Sequence, residues 1–425
     1  MSRFGPVRFI GVFVGTVAIL SVGVYGPLTL LGPLPAATAT LLPPPAAEAN
    51  VSPPALPVVG TSAVSALSVD DTGAIEAPKT PLDPIAAGGS AEPLPMASIT
   101  KVITALVVLD AKPLAAGETG PSVTLTTADY ESYLDYTATG ARAVPVFQGE
   151  VWSQQELLQA MLLGSSNNHA DTIARWAFGS VDASVTATNA WLVEQGLTNT
   201  SVVDATGLNE ASVGTGTDLA AVAGLAAGSP VISEILANPA SALADRRGID
   251  NTTAYLPEQG ITGISRSYTD AAGVCFLFTA KVVADDQTFA FSGAIVGEPG
   301  YDTLNADLVA LMESARAGVG EFPILKEGDK YVSFQTEWGT SASAVVGVSK
   351  TRFTWQAAAP TDPDVTLDPV VSDRAGKIVG RVAVTGTAGE TSSALKLDTT
   401  ITAPGLGWRL THPVPLITAL FDSRG

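Results

Sequence analysis

The sequence predicts an α+β fold, in which an antiparallel sheet packs against a helical block and a small all-β domain follows. Three observations predict it. Apolar strand patterns stand on both sides of a helix-rich stretch, at residues 62–69 before it and at 274–283 and 288–296 after it. Between them lie segments whose apolar residues recur at helical spacing. From about Glu321 the chain changes to short apolar runs punctuated by Pro, Gly and Asp.

Composition narrows the class of function. At 425 residues the chain has room for two or three domains. Acidic residues outnumber basic ones, 41 to 22, for a net charge of −19, which excludes nucleic acid as a partner and suits a secreted surface. The single Cys275 excludes an internal disulfide and a cysteine-rich metal site. His169 and His412 are the two histidines, and neither stands in a nucleophile-elbow motif.

Arg3 and Arg8 precede an apolar run at 9–31, and no charge follows until Glu48. That run is long enough to cross a hydrocarbon core, and the basic residues before it place the N-terminus in the cytoplasm. Residues 1–32 therefore read as a cytoplasmic N-terminus and signal-anchor, making the protein single-pass with its remainder exported to the cell envelope. A cleaved signal peptide, cut near Ala47-Glu48-Ala49, is the competing reading. Residues 33–60, rich in Pro and Ala, read as an extended spacer. The main domain is expected over 61–320 and the β domain over 321–425.

Within the main domain, 62–69 alternates as a strand, with a turn at Asp70-Asp-Thr-Gly73 and a second strand at Ala74-Ile75. Residues 98–110 read as a buried helix, uncharged over 102–109 and ended by Pro113. A short strand at 123–126 leads to a helix or loop over 127–150, whose Tyr130, Tyr133 and Tyr136 read as packing residues. Ser153-Gln-Gln-Glu156 is a capping box opening a helix through Leu163. The polar cluster Gly164-Ser-Ser-Asn-Asn-His-Ala170 then separates it from a helix through Ala177. His169 reads as a surface or packing residue. A helix over 183–195, a turn at Asp204-Ala-Thr-Gly-Leu208 and a helix capped by Thr217-Asp218 follow. Residues 263–273 become strand-like, a hairpin turns at Asp285-Asp286, and 301–317 has helical spacing. The tail shows strand patterns at 331–334, 344–348, 377–384 and 395–398.

The chemistry concentrates at Ser98-Ile-Thr-Lys101. Residues three apart share a helix face, so the Lys101 amine can reach the Ser98 hydroxyl. A serine needs a base to become a nucleophile, and a lysine whose pKa is lowered by burial can supply it. Ser98 also stands at a helix N-terminus, where free N–H groups can hold an oxyanion.

Several motifs then line up in order. Ser98-Ile-Thr-Lys101 resembles the first motif of the serine D-alanyl-D-alanine carboxypeptidases, the low-molecular-weight penicillin-binding proteins. Ser165-Ser-Asn167 resembles their second motif, and Asp204-Ala-Thr-Gly-Leu208 and Thr217-Asp-Leu219 resemble two further landmarks. The resemblance covers about residues 60–300 and implies a β-lactamase/penicillin-binding-protein-like transpeptidase fold. It implies that Ser98 attacks the penultimate D-alanine carbonyl, that Lys101 takes its proton, that Ser165 relays a proton to the leaving amine and that Asn167 binds the substrate backbone. The oxyanion hole would pair the Ser98 N–H with that of Tyr268.

The family's third motif, Lys-Thr-Gly, is replaced. Gly263-Ile264 and Tyr268-Thr-Asp-Ala-Ala-Gly-Val-Cys275 match its flanks without a gap, so Ser265-Arg266-Ser267 occupies its three places, and Thr269 follows in the substrate-binding strand. Ser265, Arg266, Ser267, Tyr268 and Thr269 are thus the substrate-binding candidates. Arg266 can restore the charge from the neighbouring place, but successive strand residues face opposite sides, so it is expected to point away from the site unless the strand is bulged. The resemblance implies a metal- and cofactor-free hydrolase acting on peptidoglycan stem peptides that end in D-Ala-D-Ala, and acylated by β-lactam antibiotics. The alternatives on the same scaffold are a catalytically impaired binder of wall peptides or penicillins, and a β-lactamase-like hydrolase.

Overall fold

The computed structural model describes residues 6–45, 53–70, 73–78, 82, 84–284, 286–355, 363–386 and 389–422. The alternative cleavage site at Ala47-Glu48-Ala49 lies outside them, as do residues 71–72 and Asp285 of two expected turns. The chain divides into two compact units, Glu48–Glu321 with Phe353–Ala358, and Met1–Ala47 with Phe322–Arg352 and Ala359–Gly425.

The first unit is built on a five-stranded antiparallel sheet. Its strands are β1 (Thr61–Leu67), β2 (Pro84–Gly89), β3 (Ile261–Thr269), β4 (Gly273–Ala284) and β5 (Gln287–Glu298), in the order β3-β4-β5-β1-β2. Alternation splits the sheet into two faces. Ala63, Cys275, Leu277 and Ala294 belong to one core, shared with the helices that carry Ser98 and the 164–170 cluster. Val64, Phe276, Phe278 and Ile295 belong to another, filled by Leu304, Leu308, Leu311 and Met312 of a long helix at Tyr301–Gly318. The sheet is thus buried on both faces, which explains why β4 and β5 read as nearly continuous apolar runs.

On the first face lie α1 (Ile99–Ala111), α2 (Thr127–Ala138), α3 (Gln154–Leu163), α4 (Asn167–Phe178), α5 (Val181–Glu194) and α6 (Gly216–Ala227). The capping box at the head of α3 forms: the Glu156 N–H donates to Ser153 Oγ at 3.2 Å, and the Ser153 N–H donates to Glu156 Oε2 at 2.8 Å. The cap of α6 sits two residues earlier than expected, on Thr215, whose side chain accepts from the Asp218 N–H. Asp218 is free to accept from Asn199 N and Thr200 Oγ1 instead, at 2.8 and 3.0 Å. Strand β2, a helix at Pro230–Ala237 and a hairpin at Ala240–Leu243 and Arg246–Ile249 carried no clear periodic signal. Expected Ala74-Ile75 strand pairing is reduced to a single bridge between Val69 and Ile75.

The second unit holds a six-stranded antiparallel sheet over Val332, Phe334, Ala344, Val382 and Leu395. Its strands run in the order Thr38–Leu41, Lys330–Gln335, Ser341–Val346, Gly389–Leu397, Ile378–Gly386 and Asp364–Leu367. The segment read as an extended spacer therefore supplies one edge strand, with Thr38 opposite Gln335 and Leu41 opposite Val332. Two helices, Leu406–Thr411 and Pro413–Asp422, follow the strands that the punctuated pattern had suggested. At the other end of the chain, Phe13–Leu31 is helical, and long and apolar enough to cross a membrane.

Candidate active site

The site starts at the N-terminus of α1. Ser98 occupies the N-cap position, and the preceding Ala97 sits at φ +46°, a left-handed conformation that a residue with a Cβ adopts only under constraint. The constraint is visible in the turn over 204–208. Gly207 approaches so closely that a Cβ there would stand 1.8 Å from the Ala97 carbonyl oxygen. Asp204 builds that turn, accepting from the N–H groups of Gly207 and Asn209 at 2.7 and 2.9 Å and from the hydroxyls of Thr206 and Ser212 at 3.0 and 3.1 Å.

One turn into α1, Lys101 is buried. Its Nζ donates to Ser98 Oγ at 2.9 Å and to the Thr206 carbonyl at 2.8 Å. Burial lowers its pKa from 10.5 to about 7, against the opposing pull of Asp204 and Asp171 and with some help from Arg142. A lysine near neutrality is available as a base at physiological pH. Asp171 is itself held above the usual carboxylate range by burial, and it accepts from Tyr136 Oη at 2.9 Å.

The second arm is the turn between α3 and α4. Ser165 stands at φ +53°, and its Oγ donates to Ser98 Oγ at 3.1 Å. Its neighbours face the other way. Ser166 Oγ bonds to Asn168 Oδ1 at 2.7 Å and to His169 Nδ1 at 2.8 Å, while the Val144 N–H donates to both Ser166 Oγ and Asn168 Oδ1. His169 is buried against Trp152, with ring centroids 4.6 Å apart, and burial pushes its pKa down to about 3. It is thus a neutral packing residue, and its surface placement is excluded. Asn167 opens α4 and is buried, with its Oδ1 lacking a hydrogen-bond partner in the protein. A buried orphan acceptor of this kind suits a ligand N–H.

The third arm is β3, an edge strand. Ser265 and Ser267 pair with Leu277 and Cys275, both in the core shared with α1. Arg266 pairs with Phe276, in the core beneath the Tyr301–Gly318 helix. Its guanidinium lies over the rings of Tyr255 and Tyr301, 5.2 and 5.8 Å from their centroids. The register does shift between Gly263 and Ser265, but this bulge lies upstream and leaves the Arg266 head group on the far face. Ser98, Lys101, Ser165, Ser265 and Thr253 line one small hollow, and Arg266 borders it too although its guanidinium lies over Tyr255 and Tyr301. Ser267 Oγ is buried without a partner, Tyr268 is exposed with its Oη donating to Asp270, and Thr269 Oγ1 accepts from the Ala272 N–H. Thr206, Thr253 and Arg142 were not singled out in the sequence. The Asp204 turn was the available signal for Thr206; the other two sit in loops without a motif.

Residues 84–288 match the family model described as D-alanyl-D-alanine carboxypeptidase. The chain is 28% identical over 196 residues to a D-alanyl-D-alanine endopeptidase of Pseudomonas aeruginosa, covering 44% of this chain and 60% of that protein. It is 30% identical over 193 residues to D-alanyl-D-alanine carboxypeptidase DacB2 of Mycobacterium tuberculosis, covering 44% and 62%. The chain therefore spans about three fifths of the length of these curated relatives. Penicillin binding protein 5 of Haemophilus influenzae shares the fold with a TM-score of 0.56 at 16% identity, over 83% of this chain and all (100%) of that one. A Streptococcus pneumoniae penicillin-binding protein, PBP3, described as a peptidoglycan synthesis regulatory factor, gives 0.52 at 21% identity over 81% and 99%. With its Ser98–Lys101 pair, its Ser165–Asn167 turn and this match over 84–288, the chain is similar to the D-alanyl-D-alanine carboxypeptidase family over that stretch.

Proposed function

We propose that the protein is an exported, membrane-tethered serine D-alanyl-D-alanine carboxypeptidase acting on peptidoglycan stem peptides. The observation that carries this reading is the hydrogen-bonded set Ser165–Ser98–Lys101, with Ser98 Oγ at its centre and a lysine lowered to about 7 beside it. With Lys101 neutral, the Ser98 hydroxyl gives its proton to Nζ as Oγ bonds to the carbonyl carbon of the penultimate D-alanine. Ser165 passes that proton to the departing D-alanine amine as the peptide C–N bond breaks. Asn167 Oδ1 accepts from a substrate N–H, and the N–H groups of Ser98 and Tyr268 hold the oxyanion. Water then attacks the ester and restores the Ser98 hydroxyl, releasing the shortened peptide. β-Lactam antibiotics acylate the same oxygen.

Incubating the full chain with benzylpenicillin and weighing it by mass spectrometry tests the reading. One adduct mapped to Ser98, and lost in Ser98→Ala, is expected. No adduct in the wild type would favour a non-acylating binder on this scaffold.

A further inference from the structure

Ser265 brings no charge to the cleft, and the Arg266 guanidinium is committed to Tyr255 and Tyr301 on the opposite face of the sheet. Lys101 is committed to Ser98 and Thr206. One further cation, Arg142, stands beside the Ser165–Asn167 turn. The Arg142 carbonyl accepts from the Asn167 N–H at 3.0 Å, which fixes its backbone against the Ser165–Asn167 turn. Its guanidinium reaches across that turn to Thr252 Oγ1, at a long 3.4 Å. Thr252 is itself tied to the Leu163 carbonyl through both its N–H and its hydroxyl, at 3.1 and 2.7 Å, and the next residue, Thr253, lines the hollow with Ser98.

Arg142 is exposed, and no carboxylate pairs with it among the described residues. Arg175 and Arg246, by contrast, are paired with Asp129 and Glu150. A guanidinium offers up to five donors in a planar fork matched to a carboxylate, and here a single weak contact to a hydroxyl occupies it. Its charge also reaches the interior of the site, where it adds to the burial that lowers Lys101.

We propose that Arg142 binds a carboxylate of the substrate, returning to the cleft a positive charge that Ser265 does not supply. This rests on the hydrolase reading above, whose peptide carries a carboxylate at its C-terminus and can carry another upstream of the scissile bond. Arg142 is then a specificity-determining residue of the acylation step.

Three acylating probes separate the possibilities on the full chain. Benzylpenicillin has one carboxylate, on the ring side that stands for the peptide C-terminus. Carbenicillin adds a second on the acyl side chain, and p-nitrophenyl acetate has none. Acylation of Ser98 is followed by rapid quench and mass spectrometry in wild type, Arg142→Ala and Arg142→Lys, with thermal melts confirming equal folding. Arg142→Ala is expected to slow penicillin acylation about 10- to 100-fold, the range of a charged hydrogen bond, while Arg142→Lys keeps the larger part of the rate. The ester is expected to lose far less. Equal slowing of both penicillins assigns the C-terminal carboxylate, and slowing of carbenicillin alone assigns an upstream acid; both support the proposal. Unchanged rates with both penicillins overturn it, as does equal slowing of the ester, which would make Arg142 a tuner of Lys101 only. A wild type that none of the three probes labels overturns the hydrolase reading, and this proposal falls with it.

Discussion

Lys101 carries two opposed demands. The proposed role as base needs it neutral, which burial favours, but a buried lysine makes folding harder wherever the amine must be charged. The lowered pKa fixes the sign of both effects. Acylation of Ser98 is expected to rise with pH through about 7 and to level above it, as the free amine becomes the dominant form. Stopped-flow acylation across pH 5.5–9 reads this out; a flat profile would remove Lys101 as the titrating base. Lys101→Ala is expected to slow acylation by ~10²–10⁴-fold, the usual worth of a positioned proton acceptor.

The stability effect follows by linkage. Below about pH 7 folded and unfolded lysine are both charged, so the penalty of burying the charge is fully present. Between about 7 and the unfolded value of 10.5 the folded amine is neutral, and the penalty fades as pH rises. Lys101→Met is therefore expected to be more stable than wild type near pH 6, with the difference shrinking toward pH 10. Denaturant titrations at several pH values measure it, and a difference independent of pH would show that packing and not charge sets it.

Among elements, β3 shows most clearly what a pattern of residues can and cannot reveal. Its place in the chain was legible from the strand-like pattern around residue 263. Its alternation led to the expectation that Arg266 turns away unless the strand is bulged; a bulge does stand at Gly263/Ser265, and Arg266 borders the hollow while its guanidinium lies over Tyr255 and Tyr301. The pairing at Ser98 and Lys101 was equally legible, because helical spacing alone brings positions three apart together. The Thr206 carbonyl was not. It comes from a turn about a hundred residues later, and only the close approach of Gly207 to Ala97 brings it under Lys101. Strand β2 escaped notice because Pro84–Gly89, with its paired alanines and glycines, has no alternation and a single branched side chain, Ile85.

The same register predicts the outcome of changing β3. Arg266→Ala removes stacking on Tyr255 and Tyr301 and is expected to leave penicillin acylation within a few-fold of wild type. Converting Ser265→Lys, Arg266→Thr and Ser267→Gly together would put an ammonium on the face that carries Ser265, beside Ser98 and Ser165. Turnover of a D-alanyl-D-alanine peptide is then expected to rise about 10- to 100-fold, as one charged hydrogen bond would provide. A triple variant no faster than wild type, beside an Arg266→Ala variant that is nearly inactive, would make Arg266 the working cation and contradict its placement.

At the scale of the whole molecule the question is whether the N-terminal segment stays attached. The sequence left a signal-anchor and a cleaved signal peptide open, because Ala47-Glu48-Ala49 offers a cleavage pattern beyond a span of ample length. Two contacts inside the second unit favour retention. Thr38–Leu41 pairs along Lys330–Gln335, so cutting near residue 49 would strip an edge strand and expose the N–H and C=O groups it satisfies. Arg409 donates to the carbonyls of Leu30 and Gly32, at 3.2 and 3.1 Å, where the helix Gly26–Leu31 ends and its unpaired carbonyls gather negative potential. A segment destined for removal gains nothing from either contact. The 19 residues of Phe13–Leu31 would extend about 28 Å as a helix, close to the thickness of a hydrocarbon core. The mature protein is therefore expected in the membrane fraction with Arg3 and Arg8 still attached and inside. Intact-mass measurement of chain extracted from cells should account for all residues before 49. Protease added to intact cells, with the outer layers made permeable where present, should digest the chain beyond residue 60. A protein recovered soluble and beginning just after residue 49 would show that the strand is shed, and a domain protected until the membrane is opened would show that it is never exported.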